Sequence, residues 1–437
     1  MSVGRKLGVL VVAAAGVCAL GTVQQRAFAQ QPQPAAAQQF PPQLTDTPVA
    51  PPNTDAMRLA GIAKDNSRMF GSDPDDPGPL AKGLSARLTV KAVDAATRKV
   101  ADWQLAQSQQ YFGVIDKARN LDGRLWTWAV LYSGFMAASD SLGDAKYRDA
   151  MEEMGKSYNW ELRSRLPGGD DQVLAQTYLE LYLKEKKPEQ IAFARAALDA
   201  LIAAPRVELG TGQRIAWWWC DALFMAPPTW ARMYAATGDR KYIAYLDEEF
   251  AKTNQLLYDP EAHLYARDKS FIARTEKNGQ KMFWSRGEGW VMGGLARTLE
   301  VLPKDDPARA KYETQLREMS AALAKVQGPD GLWRSGLLDA KEYGQPEISG
   351  SSLIAFGMAW GINNGVLDRK VYEPVVARAW AGMLQHIYAD GRLGDIQQTG
   401  AQPSTFKASA SYNYGVGGFL LAASEVRKMA GGKPGKN

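Results

Sequence analysis

Three carboxylates follow unusual neighbours in this sequence. Asp221 comes directly after "WWWC" and six places before a pair of prolines, in "WWWCDALFMAPP" (217–228). Asp170 and Asp171 follow two glycines in "LPGGDDQVLAQTYLELY" (166–182). Carboxyl groups are common general acids and bases, and indole rings provide flat surfaces for sugars or bases. These residue types are therefore suited to acid–base chemistry beside an aromatic surface.

Each of these aspartates also has a purely structural interpretation. Asp is a favoured helix N-cap, and Pro228 suits the first position of a helix that follows Asp221. Asp170 and Asp171 open a helical pattern, where acidic residues favour the positive end of the helix dipole. The two interpretations stay open when each stretch is considered alone.

A third stretch combines a cation with two indoles. In "FWSRGEGWVMGGLARTLEVL" (283–302), Trp284, Arg286 and Trp290 are interleaved with glycines. An arginine can bind a carboxylate with two parallel hydrogen bonds, and tryptophan can cover a sugar face. The alternative is a tight turn before a helix, with both tryptophans in the core.

Composition excludes several other classes of site. The only histidines are His263 and His386, far apart in the sequence, and no zinc-like cluster can be assembled from them. No G-x-S-x-G motif supports a serine nucleophile. We therefore expect no metal or organic cofactor, and carboxylates remain as the acid–base groups.

The N-terminus predicts export. Arg5 and Lys6 precede an apolar run and the small residues "AFA", so residues 1–29 are expected to be a signal peptide and the protein to be periplasmic or secreted. Loss of that segment lowers the formal charge from +5 to +2, because it removes three basic residues. Nucleic acid and membrane partners are therefore not expected. Residues 30–57 should form a flexible Gln/Pro/Ala-rich segment, and 58–437 a single domain.

The elements that must position these residues are helices. Apolar residues recur at helical spacing in twelve segments: 88–110, 124–138, 143–160, 170–185, 188–204, 217–236, 239–257, 286–301, 307–326, 349–363, 370–385 and 411–428. Short turns join them, and two of these turns share the pattern "GDxKY". Six helical hairpins closed into a ring, an all-α (α/α)6 toroid, fit this pattern best. An open helical solenoid is the alternative, although no fixed repeat period supports it.

Five stretches in sequence order resemble the unsaturated glucuronyl and rhamnogalacturonyl hydrolases of glycoside hydrolase family 105 and its relative, family 88. They are "DDQVLAQTYLELY", "WWWCDALFMAPPTWARM", "FWSRGEGWVMGGLARTL", "DGLWR" with "EISGSSLIAFGMAWGI", and "YGVGGFLLAASEV". The resemblance spans about residues 120–428 and implies the same toroid.

The resemblance also implies an unusual reaction. Family members act on oligosaccharides left by polysaccharide lyases, which end in a 4,5-unsaturated uronic acid. They hydrate the C4=C5 double bond, and the hemiketal that forms collapses and releases the rest of the sugar. The expected substrate is derived from pectin or rhamnogalacturonan.

The site residues carry over from the family motifs. Asp221 matches the general acid, which also helps to activate water, and Asp170 matches the second carboxylate, although Asp171 is too close to separate from it. Residues expected to contact substrate are Trp219, Trp284, Arg286, Trp290, Asp171, Arg267 and His263. Packing a carboxyl group against indoles disfavours its charged form, which suits a general acid.

Three departures from the family pattern affect the substrate and the polar site residues. Glu288 stands where many members have Asn, and Ala175 where many have Gly. The family histidine is not cleanly present, because "HLYARD" puts Arg267 near its place and His263 four residues earlier.

Two other functions remain as alternatives. One is an inverting glycosidase or a polysaccharide lyase that uses Asp170 and Asp221 on the same toroid. The other is a non-catalytic toroid that only binds sugar. The expected partner is an oligosaccharide, and the chain is expected to be a monomer or a homodimer.

Overall fold

The computed structural model describes residues 71–116, 121–163, 168–204, 215–433 and 435. The predicted signal peptide and the Gln/Pro/Ala-rich segment lie outside the described residues. In chain order the α-helices are α1 (Val90–Ser108), α2 (Trp126–Leu142), α3 (Ala145–Ser157), α4 (Gly169–Gln172), α5 (Leu174–Glu185), α6 (Glu189–Ala203), α7 (Ala222–Met225), α8 (Pro227–Thr237), α9 (Lys241–Leu257), α10 (Ser285–Leu299), α11 (Arg309–Lys325), α12 (Ile348–Asn363), α13 (Arg369–Leu384) and α14 (Asn413–Met429).

Short antiparallel strand pairs decorate the loops between helices. The strands are β1 (Gly71–Ser72), β2 (Ile115–Asp116), β3 (Leu121–Asp122), β4 (Tyr258–Asp259), β5 (Leu264–Tyr265) and β6 (Ser411–Tyr412). They pair as β1 with β6, β2 with β3, and β4 with β5. Each strand has only two residues, so these pairs shape loops and do not form a layer.

Six helices form a closed inner ring. In order around the ring, α2 contacts α5, then α8, α10, α12 and α14, and α14 returns to α2. The other six long helices, α1, α3, α6, α9, α11 and α13, pack outside it, each against inner helices. Within the described residues this is the predicted (α/α)6 toroid, and each of the twelve predicted helical segments overlaps one of its long helices.

The repeated "GDxKY" turns end inner helices as the sequence indicates. Gly143 follows α2 and Gly238 follows α8, and both have positive φ angles, 62° and 75°. The next residue in each case is an aspartate whose carboxylate accepts a backbone N–H two residues on, at 3.3 Å from Lys146 and 3.0 Å from Lys241. This pair of signals stops one helix and starts the next.

The segment predicted as a helix over 217–236 is helical only from residue 222. Trp219 instead forms an isolated antiparallel bridge with Asp268, and the Cys220 N–H donates to the Arg267 carbonyl at 2.8 Å. A second break separates α7 from α8 at Ala226, directly before Pro227, because proline cannot donate the N–H that a continuous helix needs.

The axis of the ring is filled by side chains. Phe224 and Leu353 are fully buried, and a Cβ on Gly293 would lie 3.1 Å from atoms of both. On another side, a Cβ on Gly417 of α14 would lie 2.4 Å from the carbonyl oxygen of Val130 in α2, so only glycine permits this approach of the two helices. The ring therefore has a packed centre.

Two buried arginines form an ionic cluster toward the carboxyl end of α10. The Arg232 guanidinium bonds to Glu180 and Glu300 at 2.9 and 2.6 Å, and Arg297 also bonds to Glu180. The Gly435 N–H donates to the Asp140 carbonyl at 2.8 Å, which draws the C-terminal tail over this end. None of the helices in the described residues is long and apolar enough to cross a bilayer.

Candidate active site

The carboxylate of Asp221 lies where the chain leaves the tryptophan run and enters α7. Asp221 occupies the N-cap position of that four-residue helix, yet its side chain makes no capping hydrogen bond. Its Oδ2 lies 3.4 Å from Arg267 Nε and 3.5 Å from Cys220 Sγ, and its side chain keeps 12% exposure. The structural interpretation of Asp221 as a cap is therefore not supported, and the group faces a cation and a thiol.

The segment that directly follows the β4–β5 hairpin positions Arg267. Its carbonyl accepts the Cys220 N–H, and its Nη1 donates to Asp268 at 2.7 Å. Burial opposes the charge on Arg267, but Asp221 and Asp268 raise the pKa of the guanidinium overall. The side chain is 21% exposed, and its charged group lies over Trp218 at 5.9 Å from the ring centroid. Arg267 is thus a permanent cation in contact with both Asp221 and solvent.

That cation changes the electrostatics expected from the sequence. The Asp221 carboxylate lies 3.4 Å from a guanidinium, so it does not sit in the purely apolar pocket that packing against indoles alone would give.

The structure distinguishes Asp170 from Asp171. The Asp171 side chain is 1% exposed and accepts from Arg163 Nη1 at 3.1 Å, while Arg163 Nε donates to Asp122 at 3.1 Å. Asp171 is thus held inside a buried aspartate–arginine–aspartate array. Asp170 is only partly buried, so of the two it is the one with access to solvent.

Gly169 brings the two aspartate-bearing turns together. A Cβ on Gly169 would lie 3.3 Å from the Cβ of Ala222, and α4 contacts α7. Asp170 directly follows Gly169, and Asp221 directly precedes Ala222. The two carboxylates therefore leave the chain on either side of one close contact between two short helices.

The three consecutive tryptophans have different surroundings. Trp217 is fully buried and packs edge-on against Tyr245. Trp218 is partly exposed below the Arg267 guanidinium, and its ring centroid lies 4.8 Å from that of Trp219. Trp219 keeps 8% exposure. Trp217 therefore belongs to the core, and Trp218 is the indole that lies against the Arg267 guanidinium.

Arg286 is engaged within the protein. Its Nη1 donates to the Gln397 carbonyl at 2.7 Å and its Nη2 to the Gln398 carbonyl at 2.8 Å. The guanidinium lies over the Trp284 ring at 4.4 Å, and the residue is 1% exposed. The predicted binding of a substrate carboxylate by Arg286 would have to compete with these bonds, which hold the loop that begins at Gln397.

Gln397 makes several of the hydrogen bonds that hold this loop. Its side-chain oxygen accepts from Trp284 Nε1 at 2.8 Å, and its backbone N–H donates to Glu347 at 3.1 Å. Its carbonyl also accepts from the Tyr414 hydroxyl at 2.5 Å. Trp284 is thus a wall residue with a fixed orientation.

Trp290 lies deeper. It is fully buried and packs against Phe224, Trp126 and Tyr414, with ring centroids 5.1, 5.9 and 6.3 Å away. Of this group only Trp126, the first residue of α2, is partly exposed. Trp290 therefore supports Trp126 from below.

Glu288 and Cys220 add two buried titratable groups. Burial raises the pKa of Glu288 well above its ordinary value, so its neutral form is favoured. Burial, together with Asp221 and Glu288, also raises the pKa of the Cys220 thiol. A Cβ on Gly287 would lie 3.1 Å from Cys220 Sγ, which places the thiol against the first turn of α10.

His263 lies at the turn of the β4–β5 hairpin, with a φ of 55°. Its Nδ1 is 2.8 Å from the Tyr258 hydroxyl and 3.7 Å from Glu318, and its side chain is 44% exposed. None of these contacts involves the aspartates, so of the two candidates in "HLYARD" only Arg267 contacts Asp221. Within the described residues, no group of three or more His, Cys, Asp or Glu is arranged to hold a metal ion.

Sequence reasoning did not identify several of these residues. Trp126, Gln397, Tyr414 and the Arg163–Asp122 pair were not singled out. An aromatic residue directly after a "DGRL" turn at the start of an inner helix was an available signal for Trp126. The contacts of Gln397 join segments more than 100 residues apart and leave no local pattern.

Comparisons with a family profile and with individual relatives agree on one family. The profile of Glycosyl Hydrolase Family 88 matches residues 96–430. An unsaturated 3S-rhamnoglycuronyl hydrolase from Formosa agariphila is 37% identical over 352 residues, covering 77% of this chain and 91% of the relative. A protein of the same description from Alteromonas sp. is 31% identical over 370 residues, covering 79% and 89%.

Solved structures agree in fold. A glycosyl hydrolase family 88 protein from Bacteroides vulgatus superposes with a TM-score of 0.70 at 30% identity, covering 78% of this chain and 99% of that one.

Proposed function

Since this chain belongs to glycosyl hydrolase family 88, we propose that it removes a 4,5-unsaturated uronic acid from the non-reducing end of lyase-generated oligosaccharides. The family match over residues 96–430 makes the chain a glycoside hydrolase. The observation that carries the proposal is the carboxylate of Asp221, which caps no helix and contacts Arg267, whose guanidinium lies over Trp218.

In the proposed reaction Asp221 acts as acid and base. Its carboxyl group donates a proton to C4 of the double bond, and water adds to C5, returning a proton to the carboxylate. The hemiketal formed at C5 then collapses, which opens the ring and releases the remaining sugar. The Asp221 side chain keeps 12% exposure, so a substrate carbon and a water molecule can reach a group that must give and take a proton.

Asp170 is the proposed second carboxylate. Its partial exposure and the Gly169–Ala222 contact support this choice, whereas Asp171 is occupied by Arg163. Asp171 supports the site from behind, because it fixes the turn from which Asp170 projects.

Arg267 is the proposed partner of the uronate carboxylate. Its guanidinium lies beside Asp221 and also reaches solvent. Both terminal nitrogens of Arg286, in contrast, donate hydrogen bonds to backbone carbonyls. A cation at this place would orient the unsaturated ring with its reacting carbons toward Asp221.

The descriptions of two relatives bear on the substrate. Both the Formosa and the Alteromonas proteins are unsaturated 3S-rhamnoglycuronyl hydrolases. We therefore propose a rhamnose-linked unsaturated glycuronic acid as the first substrate to test, ahead of the pectin-derived galacturonan fragments expected from sequence.

One assay tests the function. The protein is incubated with a lyase-generated unsaturated disaccharide, and the ultraviolet absorbance of the conjugated enol ether is followed. Loss of absorbance with release of the second sugar supports hydration. Release with the absorbance retained would indicate an ordinary glycosidase, and binding without either would indicate a sugar-binding toroid; both outcomes contradict the proposal.

A variant tests the assignment of Asp221. Asp221→Asn should reduce turnover by about 1,000-fold or more, since the amide cannot exchange the proton. Asp239→Asn, in the "GDxKY" turn after α8, is the matched control and should keep native turnover. An active, folded Asp221→Asn protein would refute the role of Asp221.

We also propose that the protein is exported and acts as a periplasmic or secreted monomer or homodimer. The signal-like composition of residues 1–29 supports export. N-terminal sequencing of the mature protein should find Gln30 first, and size-exclusion chromatography with light scattering distinguishes the two assembly states. An intact N-terminus on protein recovered from the exporting cells would contradict the export proposal.

A further inference from the structure

Glu288 is a fully buried acid that the reaction above does not use. It lies in the first turn of α10, with no exposure to solvent. Its Oε1 accepts the backbone N–H of Tyr265 at 2.9 Å, and among the described residues its Oε2 has no hydrogen-bond partner. No described cation forms an ion pair with it, so its surroundings do not explain it as one half of a buried salt bridge.

The amide that donates to Glu288 is that of Tyr265 in β5, two residues before Arg267. Successive N–H groups of an extended strand point to opposite sides. The Ala266 N–H donates to the carbonyl of Leu257, the residue before β4, at 3.0 Å. The Tyr265 N–H therefore points away from the hairpin, toward α10. Glu288 therefore covers the outer edge of β5 two residues before Arg267.

The segment after β5 is hydrogen-bonded to the residue before Asp221. The Arg267 carbonyl accepts the Cys220 N–H at 2.8 Å, and the Arg267 side chain meets Asp221 at 3.4 Å. Cys220 Sγ in turn touches the turn of α10 at Gly287. Glu288, β5 and the Cys220–Asp221 segment thus form a continuous set of contacts around Asp221.

We propose that Glu288 is a positioning residue, which holds Arg267 against Asp221 by binding the Tyr265 amide. The inference rests on the catalytic role proposed for Asp221. The titratable groups that face Glu288 are Cys220 from the segment before α7, Tyr258 from β4 and Tyr265 from β5. All three are neutral at physiological pH, and burial raises the pKa of Glu288 itself. Burial therefore favours a neutral carboxyl group as the acceptor, and an amide can reproduce that function.

Two substitutions separate the effect of the Glu288 hydrogen bond from the effects of its charge and of its side-chain size. Glu288→Gln keeps the length and an acceptor oxygen, and should retain kcat within about threefold and the native pH profile. Glu288→Met keeps the length but has no oxygen. It should lower kcat roughly 10- to 100-fold with little change in KM, because the displaced Arg267 no longer orients the reacting groups.

The pH profile is a readout that a merely structural role would not move. In Glu288→Met the pH profile of kcat should differ from the native profile, because the displaced Arg267 guanidinium changes the charge beside the reacting groups. Glu425→Met removes another buried glutamate, near the far end of α14, and is the matched control. It should lower thermal stability and leave the kcat profile unchanged.

Hydrogen exchange tests the contact without any substrate. The amide of Tyr265 should exchange at least tenfold faster in Glu288→Met than in the native protein, and at the native rate in Glu288→Gln. Should the Met variant not fold, Glu288→Asp, whose side chain is one methylene shorter, replaces it in the same comparison.

The outcomes distinguish this inference from the proposed function. If the native enzyme does not consume an unsaturated disaccharide, the proposed function fails, and the exchange rates still decide whether Glu288 holds β5. If the native enzyme is active and Glu288→Met keeps its kcat and pH profile, the positioning role is refuted. Equal impairment of the Gln and Met variants would also refute it, because the charge or the proton of Glu288 would then be required.

Discussion

Replacing Glu288 by glutamine should make the enzyme more resistant to unfolding as the pH rises. Burial raises the pKa of Glu288 in the folded protein well above its ordinary value of 4.5. Between those two values the folded chain binds a proton that the unfolded chain has released. Folding stability therefore falls with rising pH in the native protein, and the glutamine variant lacks that loss.

The size of the effect follows from proton linkage. Each pH unit in this window removes about 1.4 kcal/mol of unfolding free energy from the native protein. The advantage of Glu288→Gln should grow at that rate with pH for as long as the buried carboxyl stays protonated. In a domain of this size, each pH unit then adds roughly 2 °C to the difference between the two melting temperatures.

Paired thermal unfolding scans at pH 5, 6, 7 and 8 measure this difference. Glu425→Gln is the control, because Glu425 accepts from Asn363 and from Lys428 at 2.8 and 2.6 Å. Neutralising it should destabilise the protein at neutral pH, which is the opposite sign. A difference between Glu288→Gln and the native protein that does not change with pH would show that Glu288 is charged in the fold, and would refute the reasoning.

Three further predictions concern the surroundings of the site. Asp171→Asn should cost about 3 kcal/mol of stability, seen as a lower unfolding temperature, since it removes a buried partner of Arg163 at 3.1 Å; an unchanged temperature would contradict the buried array. Arg286→Lys should speed proteolysis of the loop after Gln397, because a lysine cannot serve both carbonyls, and an unchanged cleavage rate would show that the loop is held by other contacts. The Cys220 thiol should resist iodoacetamide at pH 8 in the native state and react after unfolding, because the residue is 1% exposed and its pKa is raised by burial, Asp221 and Glu288; native-state labelling would contradict this environment.

The helical architecture could be predicted from local sequence. Apolar spacing located the twelve long helices, and the glycine and aspartate of "GDxKY" marked two of the turns. These features depend on residues a few positions apart, so they can be read from the local sequence. The error in the 217–236 segment has the same origin: the partner of Trp219 is Asp268, 49 residues away, and helical periodicity carries no record of that pairing.

The site could be predicted only in part. Motif resemblance supplied Asp221, Asp170 and Arg267 as candidates, and the resemblance to family 88 is confirmed by the comparisons. The roles of Arg286 and Glu288 depend on which backbone groups face them across the ring. Arg286 meets the carbonyls of Gln397 and Gln398, and no residue near it in the sequence reveals that.

The packed axis of the inner ring limits how this enzyme can meet a polymer. Because Phe224 and Leu353 are fully buried at the centre of the ring, the described residues leave no channel along its axis. A saccharide chain cannot thread through such a ring, so a substrate that reaches Asp221 must leave by the route it entered, which suits an enzyme that acts on chain ends.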